Sequence, residues 1–231
     1  MIPSAYQLQW YLQHLFTTDE QNDLLLEHTD EHAGVSTFWP VELDFPEGLP
    51  NPIIFAANFG HVTYTHYPVN DRHWPVMSRQ MLDVLLSVRE FPHRAIPVAI
   101  IDPILYWDEP DPDANFVEQR LKSADHRFVV VQLLEHLDIL DEEASGVKRH
   151  PTLPWRIRVE QYRFNIPPED LPPLFRLSIE PMHLFISAEA RKALAVAGIA
   201  GPEYLSLGGY TKGIGDEVDV PVPLPTLPEG V

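Results

Sequence analysis

The side chains best suited to chemistry here are histidines and carboxylates, because the 231-residue chain has no cysteine. That removes thiol nucleophiles, disulfides and thiolate metal sites together. His28 and His32 stand four apart in HTDEH, so a helix there would put both imidazoles on one face. With a further carboxylate or histidine, such a pair would make a metal-dependent hydrolase. The zinc-protease pattern wants its glutamate directly after the first histidine, and this chain has Thr29 there. His14 and His61 are only nominal third ligands. A solvated, polar helix end accounts for HTDEH more simply, and hydrolysis through His28 and His32 stands as the alternative function. His61 and His66, five apart in GHVTYTHYP beside Tyr64 and Tyr67, would face opposite ways on a strand and read as packing at a loop edge.

Carboxylate pairs are abundant, but acid–base work needs one carboxyl in an apolar pocket to move its pKa. Only Asp138, between Leu137 and Ile139, has such neighbours, and it reads as an edge-strand or hydrogen-bonded carboxylate. The segment GGYTKGIGDE lacks Walker A spacing, since Lys212 precedes its last glycines, and the chain has no G-x-S-x-G elbow. These residues predict no enzyme, no cofactor and no metal.

Charge points elsewhere. Sixteen Lys and Arg against 34 Asp and Glu leave a formal net charge of −18. A surface of that sign repels nucleic-acid backbones and anionic membranes, and it steers a basic partner in. The proline-broken segment ILYWDEPDPDANF holds Tyr106, Trp107, Asp108, Glu109, Asp111 and Asp113. Aromatic rings beside carboxylates have the composition of a binding hot spot for a basic protein. Asp138, Asp141, Glu142 and Glu143 form a second acidic cluster, at the end of FVVVQLLEHLDI. These ten residues are the expected partner-binding set.

The elements that must carry them read as α/β (α+β): a mixed sheet with a few short helices. A first strand is predicted within residues 5–16, short strands near 37–43 and 53–57, and a strand from Phe128 to Ile139 opening on a β-branched run. IRVEQYRF alternates within Arg156–Phe164 and predicts another. Two stretches share one pattern of strand, capping serine, helix, turn and strand, near 74–101 around Ser78 and near 183–207 around Ser187. Met81, Leu82, Leu85 and Val88 make the apolar face of the first helix; Ala190, Ala193, Leu194 and Ala197 make that of the second. Residues 1–215 are expected to form one domain, and the proline-rich 216–231 an extended tail. The opening residues lack the basic start and compact apolar core of an export signal, and no run is apolar over the roughly 20 residues a bilayer needs, so the cytoplasm is the expected compartment.

Three segments also resemble a known family. PVMSRQMLDVL, FVVVQLLEHLDILDEEAS with its Asp141–Ser145 turn, and LFRL followed by LFISAEARKALAVAGIAGPEYLSL are similar to the eleventh-named immunity family of bacterial polymorphic toxin systems, a group also catalogued as a domain of unknown function. The resemblance covers roughly residues 70–207 and falls on structural positions; residues 30–70 do not share it as clearly. It implies a cytoplasmic antidote that binds and neutralises a cognate toxin. Charge adds that the toxin would be basic, such as a nuclease that must hold phosphates. The oligomeric state is open.

Overall fold

The computed structural model describes residues 4–10, 27–28, 40–44, 48–57, 59–62, 65–102, 121–153 and 157–207. The chain begins with strands β1 (Ala5–Trp10), β2 (Glu27–His28) and β3 (Ile53–Ala56), followed by a helical turn α1 (Phe59–Val62). Next come β4 (Val76–Ser78), helix α2 (Arg79–Val88), β5 (His93–Ile101) and β6 (Phe128–Leu133). The last part has β7 (Lys148–Arg149), β8 (Ile157–Arg158), β9 (Leu174–Leu177), β10 (Glu180–Ser187), helix α3 (Ala188–Val196) and β11 (Pro202–Ser206). The fold is mixed α+β, as expected.

The repeated pattern is real architecture. Ser78 and Ser187 each end a strand with nearly the same backbone angles, φ −67°, ψ 151° and φ −68°, ψ 155°. Each hydroxyl accepts from an N–H of the first turn, that of Met81 at 3.0 Å and that of Ala190 at 3.2 Å. In the first unit, α2 links β4 to β5, and β6 runs antiparallel between these two strands. In the second, α3 links β10 to β11, and β1 runs antiparallel between them. Both units are thus split β-α-β motifs. They sit in separate sheets, ordered β2-β3-β5-β6-β4 and β11-β1-β10-β9.

The two helices bring the units together. Met81, Leu82 and Leu85 of α2 share one buried cluster with Ala190 and Leu194 of α3. Val129, Val131 and Leu133 line this cluster from β6, and Tyr6 and Leu8 line it from β1. The opposite faces of the sheets bury separate layers, one around Phe55, Val98 and Phe128, the other around Phe175, Leu177 and Phe185. Ala197 is exposed at the C-cap of α3, not part of its buried face as expected. Gly198 follows at φ 70°, the left-handed position that closes a helix cheaply only for glycine. Gly201 is needed for space as well, since a Cβ there would collide with the Thr65 hydroxyl.

Several expected elements differ. The strand predicted over Arg156–Phe164 shrinks to Ile157–Arg158, because Ser145 takes over its backbone groups: the Ser145 carbonyl accepts from Glu160 and Gln161 N–H, and its hydroxyl bonds both N–H and C=O of Arg163. Residues 40–44 form a turn, not a strand. His28 lies in a strand opposite Phe55, so the helical premise for HTDEH fails at that residue, and with it the reading as a helix end; His32 lies outside the described residues. His61 falls in α1 instead of a strand. The 216–231 tail also lies outside the described residues.

The shared helix layer predicts where stability resides. Leu194→Ala, at a fully buried site, should lower the unfolding free energy by about 2–5 kcal/mol. Val196→Ala, two residues on and 83% exposed, should stay within about 0.5 kcal/mol of the parent. Denaturant titration of both variants checks the contrast.

Candidate partner-binding surface

One buried amide organises the acidic surface. Gln132 is fully buried at the end of β6, in a strand otherwise made of apolar side chains. Its Nε2 donates to the carbonyls of Glu42 at 2.8 Å and Asp44 at 3.0 Å, and its Oε1 accepts from Arg94 Nη1 at 2.8 Å. The turn at 40–44 is therefore tied to the sheet through its own backbone. Pinned in this way, the turn leaves Glu42, Leu43 and Asp44 exposed.

The chain leaving β6 exposes further carboxylates. Leu134 and Glu135 are exposed, and the Leu134 N–H donates to the Pro92 carbonyl at 3.1 Å. Leu137 then bonds across to β9, donating to the Arg176 carbonyl at 2.8 Å and accepting from the Ser178 N–H at 2.9 Å. With Leu137 held, Asp138 stands exposed between two partly buried apolar neighbours. Leu43 at 47% and Leu134 at 39% are two of the few large exposed apolar side chains among the described residues.

Beyond Asp138 the carboxylates divide by role. Asp141 is half-buried and builds its own turn: its Oδ1 accepts from the Ala144 N–H at 2.9 Å and its carbonyl from the Ser145 N–H at 2.8 Å. Glu142 and Glu143 point outward. Both oxygens of Glu142 accept from Arg149 Nη2, at 2.7 and 2.8 Å, a surface pair worth at most about 1 kcal/mol. Of the expected partner-binding residues, then, Asp138, Glu142 and Glu143 present carboxylates to solvent, while Asp141 is structural. Tyr106, Trp107, Asp108, Glu109, Asp111 and Asp113 lie outside the described residues.

Sequence reading missed Glu42, Leu43, Asp44, Leu134 and Glu135. One signal was there to use: a lone glutamine inside FVVVQLLE must find partners if the strand is buried.

One pair of side chains has the outline of a catalytic dyad. His66 Nδ1 lies 2.8 Å from Ser78 Oγ. Yet Ser78 is buried, its oxygen already accepts from Met81, and the next N–H, of Arg79, donates to the Arg127 carbonyl at 2.7 Å instead of facing an open oxyanion position. The pair is a helix cap with a histidine on its hydroxyl. Among the described residues, no three His, Asp or Glu side chains converge as a metal site, and no helix is long and apolar enough to cross a membrane. No protein-family model matches the chain, and no curated protein matches it.

His66 makes the cap sensitive to acid. Burial and then the Arg127 charge hold its pKa below the ordinary 6.5, and burial followed by the Arg176 charge does the same to His136. In the window below about pH 6.5 the unfolded chain takes up these protons first, so the stabilising effect is complete above that pH and is lost as pH falls. His66→Gln should therefore show a shallower acid-side dependence of unfolding free energy than the parent, by up to about one proton. Denaturant unfolding between about pH 8 and pH 5 measures the difference; equal slopes would show that His66 is not the group responsible.

Proposed function

We propose that this chain is an immunity protein that binds a toxin domain with a basic surface and neutralises it in the cytoplasm of the cell that makes both. The observation that carries this reading is the net charge of −18, displayed in part by the exposed Glu42, Leu43 and Asp44 of a turn held by Gln132 and by the exposed Leu134, Glu135 and Asp138 that follow β6. The resemblance of residues 70–207 to an immunity family supports it independently of charge.

Each part of that surface has a role in association. Unpaired carboxylates draw a cationic protein in over distances near the Debye length, roughly 8–10 Å at ordinary salt. Exposed leucines then supply apolar area that is removed from water on contact, at about 25 cal/mol per Å². A turn fixed by Gln132 loses little conformational freedom on docking, which lowers the cost of binding. A nuclease toxin would meet this surface with the groove that holds its substrate phosphates, and covering that groove would block substrate.

The direct test is to purify the chain together with the product of the adjacent gene and to express it in cells poisoned by that product. A stable complex and rescue are expected; neither complex nor rescue would overturn the reading. Reversing Asp108, Glu109, Asp111 and Asp113 to lysine should slow association by about tenfold or more and flatten its salt dependence. The same measurement on Glu42→Lys with Asp44→Lys locates the contact, because only the turn that touches the toxin should also speed dissociation.

A further inference from the structure

Arg176 is a buried cation whose Nε makes no hydrogen bond. On β9 the side chains alternate, so Arg176 shares the face of Leu174, turned toward the helix layer, while Phe175 and Leu177 face the other way. Its side chain is only 4% exposed, and burial pushes its pKa down to about 10, so it stays charged at neutral pH. A charge this deep is ordinarily paired, because desolvation without a counter-ion is costly. Here no carboxylate among the described residues forms an ion pair with it.

The bonding of the guanidinium is one-sided. Its hydrogen bonds to described residues both leave from Nη1, to the carbonyls of Pro181 at 2.7 Å and Met182 at 3.0 Å. Nε is buried and makes none. Nε–H and the adjacent Nη2–H form the side edge of the fork, which grips a carboxylate or phosphate through two parallel bonds. Two other polar groups feel this charge. Tyr67 is buried and feels the Arg176 charge, and His136 has a buried Nε2 that also lacks a hydrogen bond.

We propose that the free edge of Arg176, with His136 beside it, is an oxyanion site that takes a single carboxylate or phosphate group. So little of the arginine is exposed that the group must be a free small ion or the tip of a side chain brought by another protein. Bound there, the oxyanion would supply a counter-charge that the described residues do not. The site does not depend on the toxin reading.

The full-length, isotope-labelled chain can be titrated with sodium acetate, and separately with sodium phosphate, against sodium chloride at constant ionic strength. The Arg176 Nε–H resonance, assigned by its loss in Arg176→Lys, and the thermal midpoint are followed together. A saturable downfield shift and a raised midpoint are expected with at least one oxyanion and not with chloride. A response to acetate marks a side-chain carboxylate as the source, and a response to phosphate alone marks a free phosphate. Arg176→Lys keeps the charge without the fork and should weaken the midpoint response about tenfold; His136→Ala should weaken it several-fold and serves if the first variant does not fold. No saturable shift with either oxyanion, an equal response to chloride, or an undiminished response in these variants would overturn the proposal.

Discussion

Strand β6 is buried on both faces, and most of the structure follows from that. Its odd positions, Val129, Val131 and Leu133, meet the two helices, while Phe128 and Val130 meet the layer beyond the sheet. A strand covered on both sides cannot carry a polar side chain unless every hydrogen bond of that side chain is met within the protein. Gln132, the last even position, meets the condition by holding the 40–44 turn and Arg94. The packing demand of the core and the placing of an acidic turn are thus one event. β1 has the matching place in the other sheet, although Gln7 and Gln9 leave its outer face only partly covered.

Local signals were legible where local physics decided the outcome. Ser78 and Ser187 are read from sequence as caps because a hydroxyl ahead of an apolar helical face satisfies first-turn N–H groups whatever surrounds it. The β-branched run at Phe128–Val131 likewise outweighed a helix-like spacing of leucines further on. Failures came where a distant residue took the backbone groups. Alternation in IRVEQYRF is genuine, but Ser145 captures the N–H groups that a ladder would need. Two histidines four apart suggest a helix only while β3 is unknown; once it offers an edge, Glu27–His28 pairs with it. The acidic residues from 138 to 143 were visible as a charge run, yet which of them are free for a partner depended on hydrogen bonds within the turn that composition does not encode.

The arrangement of cations explains how so unbalanced a surface persists. Several of the arginines act as fixtures of the frame. Arg191 lies over the Tyr6 and Tyr204 rings, at 4.3 and 5.3 Å from their centroids. Arg89 donates to the carbonyls of Glu169 and Asp170, joining the end of α2 to the loop before β9. Arg94 supports Gln132, and Arg176 clamps the strand turn at Pro181 and Met182.

That choice has an energetic consequence. Exposed ion pairs would add little stability here, on the order of 0–1 kcal/mol each, whereas a carbonyl bonded by a charged donor in a partly buried site gains more. Placing arginines on the frame therefore stabilises the fold better than spreading them among surface carboxylates. Among the described residues, Lys148 pairs with Glu160, Arg149 with Glu142 and Arg127 with Asp125, each of them a local contact at the surface. Glu42, Asp44, Glu135 and Asp138 make no ion pair among the described residues. Such a surface is self-repelling in the free protein, and that repulsion falls when a cationic surface approaches, against the cost of stripping water from the carboxylates. The frame and the acidic face thus draw on the same short supply of positive charge, 16 Lys and Arg against 34 Asp and Glu.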